Sequence, residues 1–127
     1  MFNYLVGNTD NHIKNISLLY TKDLGAVRLA PAYDLVSTAV YESSSEDMAL
    51  AIGGEYNLHK ITRKSFAEEA KKVGLGAKLA MKHFDEMAEA FPAALSKARD
   101  EAESMGLPGA AEIAETILGK NQEKMRR

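Results

Sequence analysis

The chain has 127 residues, of which 16 are basic and 18 acidic, giving a formal net charge of −2, and it contains no cysteine. This balance provides no electrostatic signal for nucleic acid or an anionic membrane, and the absence of cysteine excludes disulfides, thiolate catalysis and cysteine-based zinc sites. No apolar run approaches the roughly 20 residues of a membrane span, and no signal peptide is recognisable, so we expect one cytoplasmic domain over residues 1–127.

The chain begins with a short apolar segment that predicts the end of a helix. Residues 1–6 carry no N-cap signal and run directly into Gly7, the residue type that commonly follows a helix. We expect this segment to be the last part of a helix that starts upstream.

A polar segment, GNTDNHIKN at residues 7–15, follows this helix. Asp10 is followed five residues later by Asn15, with Lys14 just before it, which is close to the spacing of a protein-kinase catalytic loop. Phosphoryl transfer needs a carboxylate at the nucleophile, hard oxygen ligands for Mg²⁺ and a nearby cation, and these residues supply one of each. On spacing alone, a polar turn in which Asn8 and Asp10 bond their own backbone is the commoner explanation.

Two short strands are predicted next, around a glycine-containing turn, at residues 16–20 and 26–30. With Tyr20 opposite Ala26, the hairpin returns Asp34 to the end that carries Asn15. Asp34 is therefore the predicted second oxygen ligand for the metal.

The rest of the first half contains one further loop and one further strand. Residues 41–47 are polar and predict an exposed loop, and residues 48–52 predict a buried strand or extended segment before two glycines.

Beyond these glycines the apolar residues recur with a helical period. Thr62 is the predicted N-cap of a helix that ends near Gly74. Apolar stripes then cover residues 80–91 and 95–105, and Pro92 either starts a separate helix or kinks a continuous one.

A last helix is predicted after Pro108, with basic residues at its C-terminal end. We assign these residues to the negative end of that helix's own dipole: Lys120, Lys124, Arg126 and Arg127. The predicted fold class is therefore α+β, mainly α, with a short β-hairpin that bears a kinase-type catalytic loop in residues 1–54, followed by a helical bundle in residues 61–127.

Three longer motifs extend the comparison beyond the spacing of two residues. They are FNYLVGNTDNHIKNIS at residues 2–17, LAPAYDLVS at residues 29–37 and MALAIGG at residues 48–54. Together they closely resemble the HipA family of bacterial serine/threonine kinases, which are toxins of toxin–antitoxin pairs. The resemblance covers about residues 2–54, and the helical remainder agrees in kind only.

The resemblance implies a role for each polar residue that matches a family motif. It implies that Asp10 is the catalytic base, that Asn15 and Asp34 are Mg²⁺ ligands, and that Lys14 supports the phosphate or the loop. We interpret His12 as structural support, because a lone histidine in such a loop is more often hydrogen bonded than a proton carrier.

The resemblance also implies phosphoryl transfer from ATP to a serine or threonine of a protein substrate, with Mg²⁺ and ATP as cofactors of the complete protein. The family's ATP-binding lobe precedes its catalytic loop, and no such lobe fits ahead of Asp10. We therefore expect this chain to be a C-terminal part that is inactive alone and holds neither cofactor tightly. Its expected partners are an antitoxin, the N-terminal kinase part or a second copy of the chain.

Two other functions stay open at this point. The first is a non-catalytic remnant or interaction module whose polar loop is unused. The second is a metal-dependent hydrolase that uses Asp10, His12 and Asp34, which requires a further carboxylate or histidine ligand.

A fragment of this kind should also expose part of its core. We expect Phe2, Leu5 and Val6, with part of the Phe84, Met87 and Phe91 stripe, to lack neighbours and to drive self-association.

Overall fold

The computed structural model describes residues 1–126, and within them the chain forms four α-helices and two small antiparallel hairpins. The helices are α1 (Phe2–Val6), α2 (Arg63–Lys72), α3 (Ala77–Ser104) and α4 (Ala110–Met125). The strands are β1 (Leu18–Tyr20), β2 (Val27–Leu29), β3 (Asp47–Ile52) and β4 (Glu55–Asn57), and short 3-10 turns occupy Ile13–Asn15 and Thr38–Val40. The predicted mixed, mainly helical fold is confirmed.

Helix α1 ends where the sequence predicts, at Gly7. This glycine has φ 77°, and the Asn8 amide donates to the Asn3 carbonyl oxygen at 2.7 Å, which is the usual left-handed helix end. A Cβ at Gly7 would also lie 2.7 Å from the Ala39 Cβ. The backbone conformation and the close approach therefore both require glycine at this position.

An aromatic cluster joins α1 to α2 and α3. The ring of Tyr4 lies 5.2 Å from that of Phe66 and 6.4 Å from that of Phe84, and the Tyr4 hydroxyl donates to the Ile61 carbonyl oxygen at 3.0 Å. Leu5 is 0% exposed and lies in the same core. Burial of such side chains contributes about 1.5–3 kcal/mol each, so this cluster holds the N-terminal helix in the bundle.

The expected exposure of the core is largely wrong. Leu5 and Phe84 are buried, as is Phe91, because α2, α3 and α4 close over them. Only Phe2 and Met87 keep a substantial exposed fraction, 40% and 37%. Substitutions of Leu5 or Phe84 would therefore damage folding and would not report on self-association.

Helix α3 resolves the alternative left open at Pro92. It is a single helix of 28 residues that contains Pro92 in its interior. Buried Phe84 and Phe91 precede the proline on the packed face, and partly buried Leu95 follows it against the same core. Tertiary packing on both sides of the proline outweighs the missing amide hydrogen bond.

The first hairpin forms, but with a register one residue away from the prediction. Tyr20 pairs with Val27, one residue from its approximate predicted partner Ala26, and each strand has three residues. Hydrogen bonds within the turn accompany this one-residue shift in register. The Thr21 amide donates to the Ala26 carbonyl oxygen at 3.0 Å, and the Thr21 hydroxyl donates to Asp23 Oδ1 at 2.5 Å. These side-chain bonds close a longer turn than glycine alone predicts.

The second hairpin and α2 follow the predicted order. Strand β3 forms as predicted, but only Met48 within it is buried, and the Ala49 amide donates to the Thr9 carbonyl oxygen at 2.8 Å. Thr62 is the N-cap of α2, as predicted, and its amide donates to the Ser65 hydroxyl at 3.1 Å. Across the described residues, the helices are too short or too polar to cross a bilayer.

Candidate functional site

The first hairpin brings Asn15 and Asp34 into direct contact. The Asn15 amide nitrogen donates to Asp34 Oδ2 at 2.9 Å, so their predicted proximity is confirmed despite the shifted register. Asp34 has φ 55°, a left-handed conformation that few residues other than glycine adopt. Aspartate tolerates it better than most residues, and such backbone strain is concentrated at functional sites.

Asn8 links the backbones of the two carboxylate residues. Its side chain is 1% exposed, and its amide nitrogen donates to the Asp34 carbonyl oxygen at 3.0 Å and to Asn3 Oδ1 at 3.1 Å. Its amide oxygen accepts from the Asp10 backbone nitrogen at 3.2 Å. One buried amide therefore fixes Asp10 relative to Asp34, and Asn15 adds a longer bond of 3.4 Å to the Asp10 carbonyl oxygen.

Two hydroxyl side chains of the following segment hold the loop from the other side. Thr38 Oγ1 accepts from the Thr9 amide at 2.8 Å and donates to the Gly7 carbonyl oxygen at 3.1 Å. The Ser37 hydroxyl donates to the Val6 carbonyl oxygen at 2.7 Å. The loop from Gly7 to Asp10 is therefore anchored to the segment that follows Asp34.

The remaining predicted residues differ in their surroundings. The side chains of Asp10 and Lys14 are exposed, and the Lys14 carbonyl oxygen accepts from the Tyr33 hydroxyl at 2.8 Å. His12 is partly buried, and within the described residues its buried Nδ1 has no hydrogen-bond partner. No hydrogen bond at Nδ1 therefore supports the predicted structural role of His12, and that role stays a prediction.

Asn15 and Asp34 carry oxygen donors of the kind that would hold a magnesium ion together with phosphates. The hydrogen bond between Asn15 and Asp34 uses the amide nitrogen of Asn15, which leaves the amide oxygen as a hard ligand beside the carboxylate. In the part of the chain that the structure describes, no group of three or more His, Asp or Glu residues is placed to hold a metal ion. Mg²⁺ commonly takes one or two protein ligands and completes its shell with water and substrate phosphates.

Helix α4 packs against the C-terminal end of α1, just ahead of the loop. Lys124 is 5% exposed, and its ammonium donates to the carbonyl oxygens of Tyr4 at 2.5 Å and Leu5 at 3.2 Å. The Asn121 amide also donates to the Leu5 carbonyl oxygen, at 3.0 Å. Burial, reinforced by the nearby charge of Lys120, lowers the pKa of Lys124 to about 8.

Lys124 lies in the last turn of α4, as predicted, but its hydrogen bonds go to another helix. Its ammonium caps the C-terminal carbonyls of α1, because α4 packs against that helix. Arg127, assigned to the same role, lies outside the described residues.

Comparison with known proteins identifies the family. The model of the HipA-like C-terminal domain matches residues 1–95, which include the whole loop, both hairpins and α2. The chain belongs to this family. The expected resemblance to HipA-like proteins is thereby confirmed.

Relatives of this HipA-like chain include proteins named as kinases. It is 37% identical over 117 residues to a Sinorhizobium fredii protein named "Putative kinase Y4dM", covering 92% of the chain and 27% of that protein. It is 32% identical over 97 residues to the serine/threonine-protein kinase toxin HipA of Shewanella oneidensis, covering 76% of the chain and 22% of the toxin.

A solved structure gives a similar fold. A chain in the complex of HipA, HipB and operator DNA from Shewanella oneidensis MR-1 matches with a TM-score of 0.75 and 27% sequence identity, over 94% of this chain and 28% of that one. The HipA-like chain therefore spans about a quarter of the length of these relatives.

Sequence reasoning missed Asn8, Asn121 and Lys124. Asn8 was interpreted only as a turn former, and its bonds to Asp34 depend on a contact 26 positions away. A signal for the other two was present: Asn121 and Lys124 continue the stripe of buried Ala114 and Ile117 along α4. Polar residues on an apolar helix face indicate a buried partner for their hydrogen bonds.

We expect Asn8→Ala to loosen this HipA-like loop. The substitution leaves the Asp34 carbonyl oxygen and the Asp10 amide without their partner, so the free energy of unfolding should fall by about 1–3 kcal/mol. Chemical denaturation measures this loss, and amide chemical shifts of residues 9–15 and 34 report the local change. Asn11→Ala, in the same loop, is the matched control, and equal effects of the two substitutions would contradict the role of Asn8.

Proposed function

We propose that the complete protein containing this chain is a protein serine/threonine kinase, in which Asp10 is the catalytic base and Asn15 and Asp34 bind Mg²⁺. The observation that carries the proposal is the 2.9 Å hydrogen bond between Asn15 and Asp34. Asn8 ties Asp10 to this pair, and relatives named as kinases support the class of activity. The chain supplies the catalytic part, and the rest of the protein supplies the ATP-binding lobe.

In this proposal the exposed carboxylate of Asp10 accepts the proton of the substrate hydroxyl. The hydroxyl oxygen bonds to the γ-phosphorus of ATP, the bond to the bridging oxygen breaks, and ADP leaves. Mg²⁺, when bound with ATP, supplies positive charge against the phosphate oxygens. Asn15 and Asp34 orient this charge through their oxygens, and the exposed Lys14 adds a cation at the same edge of the loop.

The first hairpin supports the idea that the rest of the protein docks here. Both faces of β1 and β2 are exposed. Large apolar side chains across this region are each at least 41% exposed: Ile13, Ile16, Leu18, Leu19, Tyr20, Leu24, Val27, Leu29, Tyr33, Leu35 and Val36. We call these residues the hairpin surface. A surface this apolar is typical of an interface, and in the complete protein the preceding lobe would cover it.

The isolated chain should self-associate through the hairpin surface at micromolar concentration. Leu29→Asp should weaken this association by a factor of roughly ten or more, because it removes an apolar side chain worth about 1.5–3 kcal/mol when buried. Leu75→Asp, at a position 63% exposed outside the hairpin, is the matched control and should change little. Analytical ultracentrifugation measures both, and a strictly monomeric wild-type chain would contradict the prediction.

Transfer of labelled phosphate from ATP to protein serine or threonine tests the proposed function. The complete protein should catalyse this transfer, and Asp10→Asn should slow it by a factor of about 10²–10⁴. Asp100→Asn, which removes an exposed carboxylate on α3, is the control and should retain activity. The isolated chain, without the preceding lobe, should show no transfer.

A non-catalytic interaction module is the second candidate, and the closed core favours it. Tyr4, Leu5 and Phe84 are at most 2% exposed, so these residues fold against each other within the chain. The module would be favoured over the kinase by either of two results. The complete wild-type protein would transfer no phosphate, or Asp10→Asn would leave the rate of transfer unchanged.

A further inference from the structure

The C-terminal carbonyls of α1 are held by two separate parts of the chain. The carbonyl oxygens of Val6 and Gly7 accept from the segment after Asp34, through Ser37 and Thr38. Those of Tyr4 and Leu5 accept from α4, through Asn121 and Lys124. Four consecutive backbone oxygens immediately ahead of the catalytic loop are therefore fixed by side chains distant in sequence.

The contribution from α4 is unusual in its chemistry. Lys124 is a buried cation. Its ammonium donates hydrogen bonds to two carbonyl oxygens and lies 5.0 Å from the centre of the Tyr4 ring. Removing a charge from water raises the free energy of the folded chain, and an apolar side chain of similar size would fill the space without this desolvation penalty. The cation does, however, match the negative end of the α1 dipole.

Only a few residues separate this contact from the proposed catalytic base. Leu5 is followed by Val6 and Gly7, the Asn8 amide bonds back to Asn3, and the Asn8 side chain holds Asp10. A displacement of the α1 end therefore moves Asn8 and, with it, Asp10. The link comes from α4. This helix begins at Ala110, beyond residues 1–95, where the family model matches.

We propose that Asn121 and Lys124 are positioning residues for the catalytic loop. By fixing the carbonyls of Tyr4 and Leu5, they set the end of α1 and hence the place of Asn8 and Asp10. The catalytic meaning of this positioning rests on the proposed function of Asp10. The hydrogen-bonded link itself does not.

Amide hydrogen exchange of the 127-residue chain tests the link directly. Lys124→Met removes two hydrogen bonds and keeps most of the length of the side chain. It should speed exchange of the Asn8, Thr9 and Asp10 amides by about tenfold relative to the amides of α3. Asn121→Ala removes one bond, keeps the lysine and should act in the same direction, so it serves if Lys124→Met does not fold. Ile117→Ala, a buried apolar change on the same helix, is the control. It should not speed exchange of the loop amides more than exchange of the other amides.

Steady-state kinetics of the complete protein then separate positioning from general support. Lys124→Met and Asn121→Ala should lower kcat and leave the KM for ATP unchanged, while Ile117→Ala should leave both unchanged below its unfolding temperature. Exchange that rises uniformly, or not at all, in both variants would overturn the proposed link. Absence of phosphate transfer by the wild type would overturn the proposed function and leave the exchange result standing.

Discussion

Asp10→Asn in the complete protein is expected to lower kcat by a factor of about 10²–10⁴, the usual contribution of a general base, with little change in the Kd for Mg²⁺-ATP. The amide keeps the size of the carboxylate but cannot accept the proton of the substrate hydroxyl. The Asp10 backbone amide still donates to Asn8, so the loop itself should persist. Rapid-quench kinetics and calorimetric nucleotide titration measure the two quantities separately.

Asp34→Asn provides the contrast, since this residue is proposed to serve the metal. The substitution removes a charged oxygen ligand beside Asn15, so it should weaken Mg²⁺-ATP binding as well as lower kcat. Asp100→Asn, which changes an exposed carboxylate on α3, is the control and should affect neither quantity strongly. Identical effects of Asp10→Asn and Asp34→Asn on nucleotide affinity would show that the two roles are assigned wrongly.

The stability of the isolated chain is expected to rise with pH between about 8 and 10.5 because of Lys124. Its pKa is about 8 in the folded chain and 10.5 ordinarily, so between these values the unfolded chain binds more protons than the folded chain. Unfolding is then increasingly disfavoured as pH rises, by about 2–3 kcal/mol between pH 7 and pH 10. Below pH 8 Lys124 is protonated in both the folded and the unfolded chain, so the full cost of burying its charge lowers the free energy of unfolding.

Lys124→Met isolates this effect from other titrating groups. Lys120 lies on the same helix, and one cavity beside Lys124 is lined by Glu42, Glu46 and His59. Arg63 and Lys64 line a second cavity that Lys124 also borders. These groups are common to both proteins, so the difference between wild type and variant reports Lys124. Urea denaturation across this pH range measures it, and a difference that does not change with pH would contradict the assigned pKa.

The pairing of Asn15 with Asp34 was predictable, although the details of the hairpin were not. Residue types and spacing identified the loop, and a hairpin of either register returns Asp34 to the end that carries Asn15. The exact register depended on the bonds of Thr21 and Asp23 within the turn, which no strand pattern encodes. A contact that tolerates a one-residue error is predicted more safely than the register that produces it.

The misjudged residues share a different cause. The sequence predicts that Leu5 and Phe84 are exposed, and it places Lys124 only at the dipole of its own helix, because a single segment does not reveal its packing partners. All three are determined by the packing of α1 against α3 and α4. Asn8 belongs with them, since its partners at Asp34 and Asn3 are brought together only by the folded chain.

In the proposed kinase site, Asn15 and Asp34 hold the metal while Asp10 faces the substrate hydroxyl. A crystal structure of the complete protein with Mg²⁺ and a non-hydrolysable ATP analogue tests it most directly. We predict a Mg²⁺ ion about 2.0–2.1 Å from the Asn15 amide oxygen and an Asp34 carboxylate oxygen, with the carboxylate of Asp10 outside its coordination shell. A metal bound by Asp10, His12 and Asp34 would contradict the kinase assignment and favour a metal-dependent hydrolase.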